Sequence, residues 1–307
     1  MYRDLTRGSI SRSLLLFALP MIAGNLLQQF YNIADTLIVG RALGSEALAA
    51  VGSAYTLMTF LTSIFLGLSM GSGALFSIYR GRGDESSLRL GIVHAFGLIL
   101  CVTLVLNATV YLFLGPILRF LQVPESVAPG MREYLLIIFA GLLATSLYNY
   151  LSCLLRALGN STVPLVFLAV SAMLNIGLDL LFVIVFQMGV AGVAWATFAA
   201  QGAAGVAAFF VLLRRVGKIQ SDTPEKPKIF SSDALKQISR ISVPSILQSS
   251  FVSVGNLFVQ SLVNSFGSSV IGGYASAIKL NTFAITCFST LSNSVSNFCA
   301  QNIGADK

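Results

Sequence analysis

Eight apolar stretches of membrane-spanning length dominate the chain and restrict the folds open to it. They lie near residues 14–40, 48–78, 90–114, 131–155, 163–187, 190–213, 238–264 and 270–299. A helix of about 20 apolar residues crosses a bilayer, and only helices or closed barrels satisfy the backbone there. Charged residues make up 10% of the chain, against about 25% in a typical soluble domain. The sequence therefore predicts an all-α polytopic membrane protein.

The distribution of basic residues predicts how the chain is oriented in the membrane. If the amino terminus is cytoplasmic, fifteen lysine and arginine residues, Arg156 among them, fall on the cytoplasmic side. Only Arg41, Arg119 and Arg132 then fall outside, and Lys279 lies within a stretch. Cytoplasmic loops carry an excess of basic residues. We expect a multi-pass protein of the cytoplasmic membrane with its amino terminus inside. The net charge of +7 follows from this bias and does not indicate a nucleic-acid partner.

An internal repeat predicts the domain organisation. Residues 10–20 resemble residues 234–244, with Pro20 aligned to Pro244, and residues 43–52 resemble residues 266–275. The offset contains six stretches, so both copies enter the membrane in the same direction, as in transporters built from parallel repeats. Both prolines are expected to kink their helices. The predicted domains are a six-helix lobe at 1–213, a charged cytoplasmic linker at 214–237, and the first two helices of a second lobe at 238–307. The sequence is then expected to be a fragment of a 12-helix protein.

Polar stripes run along four of the predicted helices. Asn25, Gln28, Gln29, Asn32, Asp35 and Thr36 fall on one helical face of about 120°. Similar faces are formed by Ser171, Asn175 and Asp179, by Ser249, Ser253, Asn256 and Gln260, and by Lys279, Thr282, Thr286, Thr290, Asn293, Asn297 and Gln301. Four polar faces exceed what contacts between helices usually need. They predict helices that surround a hydrophilic cavity.

Three ionisable residues, Asp35, Asp179 and Lys279, lie well inside the apolar stretches. A charge at the bilayer centre costs about 2.5–3.5 kcal/mol on insertion scales, so such residues usually serve a function. Each aspartate is a candidate site for a coupling proton, and its oxygen neighbours make Na⁺ an equally suitable occupant. Lys279 is either part of this site or a structural counter-ion. His94 lies one turn into the third stretch and is predicted to be an interface residue.

The sequence also contains two patterns that are typical of enzymes. Residues 67–71 match G-x-S-x-G, but they lie within a helical stretch with no strand before them, which favours small-residue helix packing. Asp35 and Asp179 also allow an intramembrane aspartyl dyad. Their polar neighbours and the duplicated architecture favour transport instead, and the sequence contains no phosphate-binding loop for ATP. The chain is therefore predicted not to be an enzyme.

Several segments together resemble the multidrug and toxic compound extrusion (MATE) family of transporters. They are Pro20 with residues 32–40, residues 44–52, 156–164, 175–179 and 301–304, and they extend over essentially the whole chain. The resemblance implies 12 helices in two six-helix lobes around a central cavity. It also implies export of cationic amphipathic compounds against H⁺ or Na⁺, with no other cofactor. The full-length protein is expected to be a monomer surrounded by lipid.

The resemblance also implies roles for individual residues. Asp35 matches the family's acid of the first helix, which is implicated in ion coupling, and Asn175 and Asp179 match an amide and an acid of the fifth. Tyr134 and Thr197 lie where prokaryotic members place hydroxyls around those acids. Ser152 replaces an asparagine late in the fourth helix, and Asn149 lies nearby. With the polar stripes, the expected substrate cavity comprises Gln28, Gln29, Asn32, Asn149, Ser152, Asn256, Gln260, Lys279 and Asn293.

Two alternatives to a cation-coupled antiporter stay open at this point. A related flippase for lipid-linked sugars needs several buried cations to bind a pyrophosphate. The sequence offers one, Lys279, against two acids. The other alternative is a membrane fragment that transports nothing and either is inert or binds a partner.

Overall fold

The computed structural model describes residues 4–216 and 231–307, and these residues form nine helices. They are α1 (Ile10–Ala42), α2 (Gly44–Arg82), α3 (Glu85–Phe120), α4 (Ala128–Ala140), α5 (Leu142–Ala157), α6 (Thr162–Asp179), α7 (Gly189–Val216), α8 (Ser232–Asn264) and α9 (Ser268–Gly304). A π-helical segment, Leu180–Val185, continues α6. The all-α architecture predicted from the sequence is confirmed.

The helices follow the predicted spans, with one break. Six of them are long and apolar enough to cross a membrane, and α4 and α5 form a seventh span that is bent by 53°. The bend lies at Gly141, where a Cβ atom would come within 2.9 Å of the Phe198 ring. An aromatic ring of α7 therefore packs directly against the break. The eighth predicted span, α9, is not among these seven, because its many hydroxyl and amide side chains lower its hydropathy.

The predicted linker is partly helical. Helix α7 continues to Val216, and α8 begins at Ser232, so both helices extend into the predicted linker at 214–237. Residues 217–230 lie outside the described residues. The start of α8 is stabilised by Ser231, whose side chain accepts a hydrogen bond from the Ala234 amide at 3.3 Å.

Contacts between α2 and α9 support the repeat. Gly44 begins α2, and Gly267, which aligns with it, directly precedes α9. Both have a positive φ, of 87° and 92°. At the other helix ends, a Cβ atom at Gly81 would overlap the Gln301 carbonyl oxygen, and one at Gly304 would overlap the Ile78 carbonyl oxygen. Gly81 aligns with Gly304 and Ile78 with Gln301, so the two contacts are equivalent. This reciprocity is what a two-fold relation between parallel repeats requires.

Two hydrophobic clusters fill the space between the helices. One joins α2, α3 and α4 near the helix ends on the side where α1 ends, around Phe65, Leu114 and Met131. The other joins α2, α3 and α5 toward the side where α1 begins, around Phe76 and Tyr150. We call these the distal side and the amino-terminal side. The clusters fix α2 in the centre, where α8 and α9 also pack.

Candidate functional site

A cavity of about 1050 Å³ lies among α1, α2 and α4 to α9. This volume is at the upper end of the range for small-molecule sites, which is about 300–1,000 Å³. The polar face of α9 supplies much of its wall. Six of the seven residues predicted for that face line the cavity, namely Lys279, Thr282, Thr286, Thr290, Asn293 and Asn297. The seventh, Gln301, instead donates a hydrogen bond to the Ala157 carbonyl oxygen at 2.6 Å.

Seven of the nine residues expected at the substrate cavity line it. They are Gln28, Gln29, Asn32, Asn149, Ser152, Lys279 and Asn293. The stripe of α1 faces α9 across the cavity, and Asn25 connects the two helices by donating to the Thr290 hydroxyl at 2.7 Å. The polar periodicity of these two helices therefore located the cavity wall.

Gln260 and Asn256 are not among the lining residues. Gln260 is buried between α8 and α2, where it accepts a hydrogen bond from the Thr56 hydroxyl at 2.9 Å. Its amide donates to Asn264 at 2.8 Å, and Asn264 donates to the Leu121 carbonyl oxygen at 2.7 Å. The expectation for Gln260 is corrected: its polar group holds two helices together, a common role of polar side chains between membrane helices.

Asp35 and Asp179 come together at the wall of the cavity. Their carboxyl groups lie close enough to interact with one another. Asp35 lines the cavity and is 7% exposed, whereas Asp179 lies behind it and is 0% exposed. One oxygen of Asp35, both oxygens of Asp179 and the side-chain oxygen of Asn175 are buried, and none has a hydrogen-bond partner within the described residues. Buried oxygen acceptors without donors are costly and call for an explanation.

The remaining residues expected around the acids surround this pair. The amide nitrogen of Asn175 donates to the Thr197 hydroxyl at 3.3 Å, so this bond does not involve the asparagine oxygen. Tyr134 is close enough to both carboxyls to interact with them electrostatically, and both Tyr134 and Thr197 line the cavity. The π-helical segment begins directly after Asp179. Such segments are frequent at functional sites.

Lys279 brings a positive charge from α9 to the acid pair. Its ammonium group donates to the Asn32 carbonyl oxygen at 3.1 Å and lies 5.1 Å from the centroid of the Tyr55 ring. It is near enough to Asp35 and Asp179 for electrostatic interaction. Neither acid forms an ion pair with Lys279 within the described part of the chain. The lysine therefore contacts α1 and leaves the carboxylate oxygens free.

Arg156 is a cavity residue that the sequence analysis counted only among the basic residues of the cytoplasmic side. It lines the cavity from the last turn of α5. The cavity thus contains two basic side chains, where the sequence analysis counted one. A helical stripe of Thr145, Asn149, Ser152 and Arg156, each three or four residues apart, could have revealed it.

Two further sequence patterns have structural roles. Ser69 of the G-x-S-x-G match is fully buried and donates to the Phe65 carbonyl oxygen at 2.8 Å, while Gly67 packs against the backbone of α8. This confirms helix packing. His94 accepts a hydrogen bond from the Ser231 amide at 2.8 Å, so it joins α3 to the start of α8. Its expected position at the membrane interface stays a prediction.

A family model, MatE, matches residues 20–181 and 244–307. The chain belongs to the MatE family. A probable multidrug resistance protein of Bacillus subtilis, YpnP, is 32% identical over 98% of this chain and 67% of its own length. A FAD transporter of Shewanella oneidensis is 23% identical over 98% of this chain and 67% of its own length. Both are related proteins and do not define this chain's substrate.

Solved structures show the same fold. An outward-facing multidrug resistance MATE family transporter superposes with a TM-score of 0.87 at 22% identity, over 98% of this chain and 66% of that one. A MOP superfamily transporter from Pyrococcus furiosus gives a TM-score of 0.87 at 23% identity, with the same coverage. The chain spans about two thirds of the length of its relatives. MatE membership identifies it as a multi-pass membrane protein of a transporter family, not an enzyme.

Proposed function

We propose that this MatE protein takes part in the export of cationic amphipathic compounds across the cytoplasmic membrane, driven by exchange for H⁺ or Na⁺. The observation that supports this most is the buried acid pair. Asp35 opens onto the cavity, Asp179 lies behind it, and their oxygens have no donors within the described residues. A cation bound there satisfies the oxygens and compensates the negative charge. Its entry path is the cavity, because Asp35 reaches it.

Coupling follows from the position of Lys279 on α9. Its ammonium group bonds to α1 and lies near both acids, so α9 contacts the first lobe through a charge. A cation at the acid pair repels the ammonium group and weakens this contact. Binding of the ion then biases the equilibrium between two arrangements of the lobes, which is the requirement for alternating access. A cationic substrate in the cavity competes for the same negative potential.

The cavity suits an amphipathic substrate. Tyr31, Tyr55, Tyr134 and Tyr148 contribute aromatic surface, and the amides of α1 and α9 contribute hydrogen-bonding groups. A mixture of aromatic and polar lining is typical of small-molecule sites, and aromatic faces attract cations. The naming of several relatives as multidrug resistance or export proteins supports the same substrate class. The positive-inside distribution supports a cytoplasmic amino terminus.

Ethidium flux in proteoliposomes tests the proposal. The chain is reconstituted, and flux is followed under an imposed pH gradient and, separately, an imposed Na⁺ gradient. We expect one gradient to drive flux and Asp35→Asn to abolish it. The control is Asp84→Asn, because Asp84 caps α3 through the Ser87 amide at 2.9 Å and asparagine caps equally well. Flux that is independent of both gradients, or no flux from the unmodified chain, contradicts the proposal.

A further inference from the structure

Arg156 is a basic residue for which the described part of the chain supplies no ion-pair partner. It lines the cavity, and its Nε–H group is buried with no hydrogen-bond acceptor among the described residues. The two ion pairs found within the described residues, Arg7 with Asp4 and Arg80 with Glu85, do not involve it. An uncompensated buried donor on a charged group is costly and calls for an explanation.

Stabilisation of the end of α5 does not provide that explanation. Basic side chains near a helix C-terminus often bond to the last carbonyl groups. Here those carbonyls already have donors. The oxygens of Leu154, Leu155 and Arg156 accept from the amides of residues 158, 160 and 159, at 3.0, 2.8 and 2.9 Å. The Ala157 oxygen accepts from Gln301 at 2.6 Å. The helix end is satisfied without the guanidinium group.

Polar side chains line the cavity near Arg156, and none of the described residues forms an ion pair with it. Ser152 lies one turn before it on the cavity wall. The Gln301 bond to Ala157 holds the polar face of α9, with Asn293 and Asn297, beside this end of α5. Asp35, the acid among the described lining residues, is seven residues from the distal end of α1, whereas Arg156 is in the last turn at the amino-terminal side. Asp35 and Arg156 therefore lie toward opposite ends of the cavity, and Lys279 accompanies Asp35.

We infer that Arg156 forms a second subsite of this cavity, which binds an anionic group, phosphate or carboxylate, carried by the transported solute. This inference rests on the proposed transport function, because it assigns part of the same cavity. A guanidinium group offers a planar fork of donors that matches both anions. Cationic aromatic solutes that also carry an anionic group then fit the cavity better than cations without one.

Riboflavin and riboflavin phosphate provide a matched pair of probes, since they share a fluorescent ring system and differ by one phosphate. Binding is measured by flavin anisotropy, with the full chain in nanodiscs of phosphatidylcholine. We expect the phosphate form to bind about tenfold more tightly, as for one charge-assisted hydrogen bond. Arg156→Gln should remove this preference, and Arg156→Lys should retain part of it. The control is Arg240→Gln, an exposed arginine outside the cavity wall, which should keep the full preference.

Equal affinity for the two flavins, or a preference that survives Arg156→Gln, overturns the inference. A preference that disappears when phosphatidylglycerol is added to the nanodiscs assigns Arg156 to a lipid headgroup and also overturns it. If Arg156→Lys keeps part of the preference for the phosphate form, the loss in Arg156→Gln results from the missing charge and not from unfolding. An Arg156-dependent preference in a chain without ion-driven ethidium flux supports the subsite and refutes the proposed function. Ion-driven ethidium flux in a chain whose flavin preference does not depend on Arg156 refutes the subsite alone.

Discussion

At the residue scale, the two buried acids differ in their access to the cavity. Asp35 lines the cavity, whereas Asp179 is fully buried and is not among the lining residues. Hydrogen bonds could have satisfied the carboxylates, but the nearby amide of Asn175 donates elsewhere, to Thr197. On the proposed function, a cation that enters and leaves satisfies these oxygens, as exchange requires.

Lys279 is expected to limit the affinity for cationic solutes. Its ammonium group lies near both acids and so competes with any other cation for their potential. We expect Lys279→Met to tighten ethidium binding roughly threefold to tenfold, the effect of removing one partly screened charge. Lys279→Arg, which keeps the charge, serves as the control. Ethidium anisotropy in nanodiscs measures the change, and an affinity that falls in the methionine variant would show that Lys279 does not oppose cations.

At the element scale, α2 and α8 are joined by a buried network at the distal side. Gln260 bonds to Thr56 and Asn264 within it. We expect Gln260→Leu to lower the free energy of unfolding by about 1–3 kcal/mol, because buried partners lose their hydrogen bonds. Gln248→Leu on the same helix is the control, since Gln248 is exposed at the cavity. Thermal unfolding in detergent measures both, and equal melting temperatures would contradict this role.

At the amino-terminal side, α2 and α9 depend on backbone contact without side chains between them. A Cβ atom at Gly81 would overlap the Gln301 carbonyl oxygen. We expect Gly81→Ala to separate the helices and destabilise the protein by roughly 1–3 kcal/mol, as overpacking does. Gly97→Ala is the matched control, because a Cβ atom there meets no atom within 4 Å. Thermal unfolding in detergent measures both variants. Equal melting temperatures for Gly81→Ala and Gly97→Ala would contradict the close contact between α2 and α9.

At the scale of the whole molecule, the orientation in the membrane is a prediction of its own. In a chain whose four cysteines are replaced, Glu85→Cys and Glu125→Cys place one thiol at each side, both at exposed positions. A cytoplasmic amino terminus predicts that a membrane-impermeant maleimide labels residue 125 in intact cells. It should label residue 85 only after permeabilisation. The reverse pattern would show that the basic residues do not set the topology.

The sequence predicted those features of the molecule that depend on one helix at a time. Apolar length gave the spans, and helical periodicity gave the cavity faces of α1 and α9, because both are properties of a single segment. The roles of Gln260 and Arg156 depend on which neighbour packs against them, and periodicity does not contain that information. The bend at Gly141 was missed for the same reason, since the Phe198 ring that packs there comes from another helix.

The most direct test of the account is the dependence of ethidium affinity on the coupling ion. Ethidium binding is titrated in nanodiscs over a series of pH values and, at fixed pH, over a series of Na⁺ concentrations. Competition at the acid pair predicts that the logarithm of the affinity changes with slope of about one against either pH or log Na⁺ concentration. In Asp35→Asn the slope should fall to zero, and in Asp84→Asn it should be unchanged. A slope that persists in Asp35→Asn would contradict the assignment of the acid pair as the ion site.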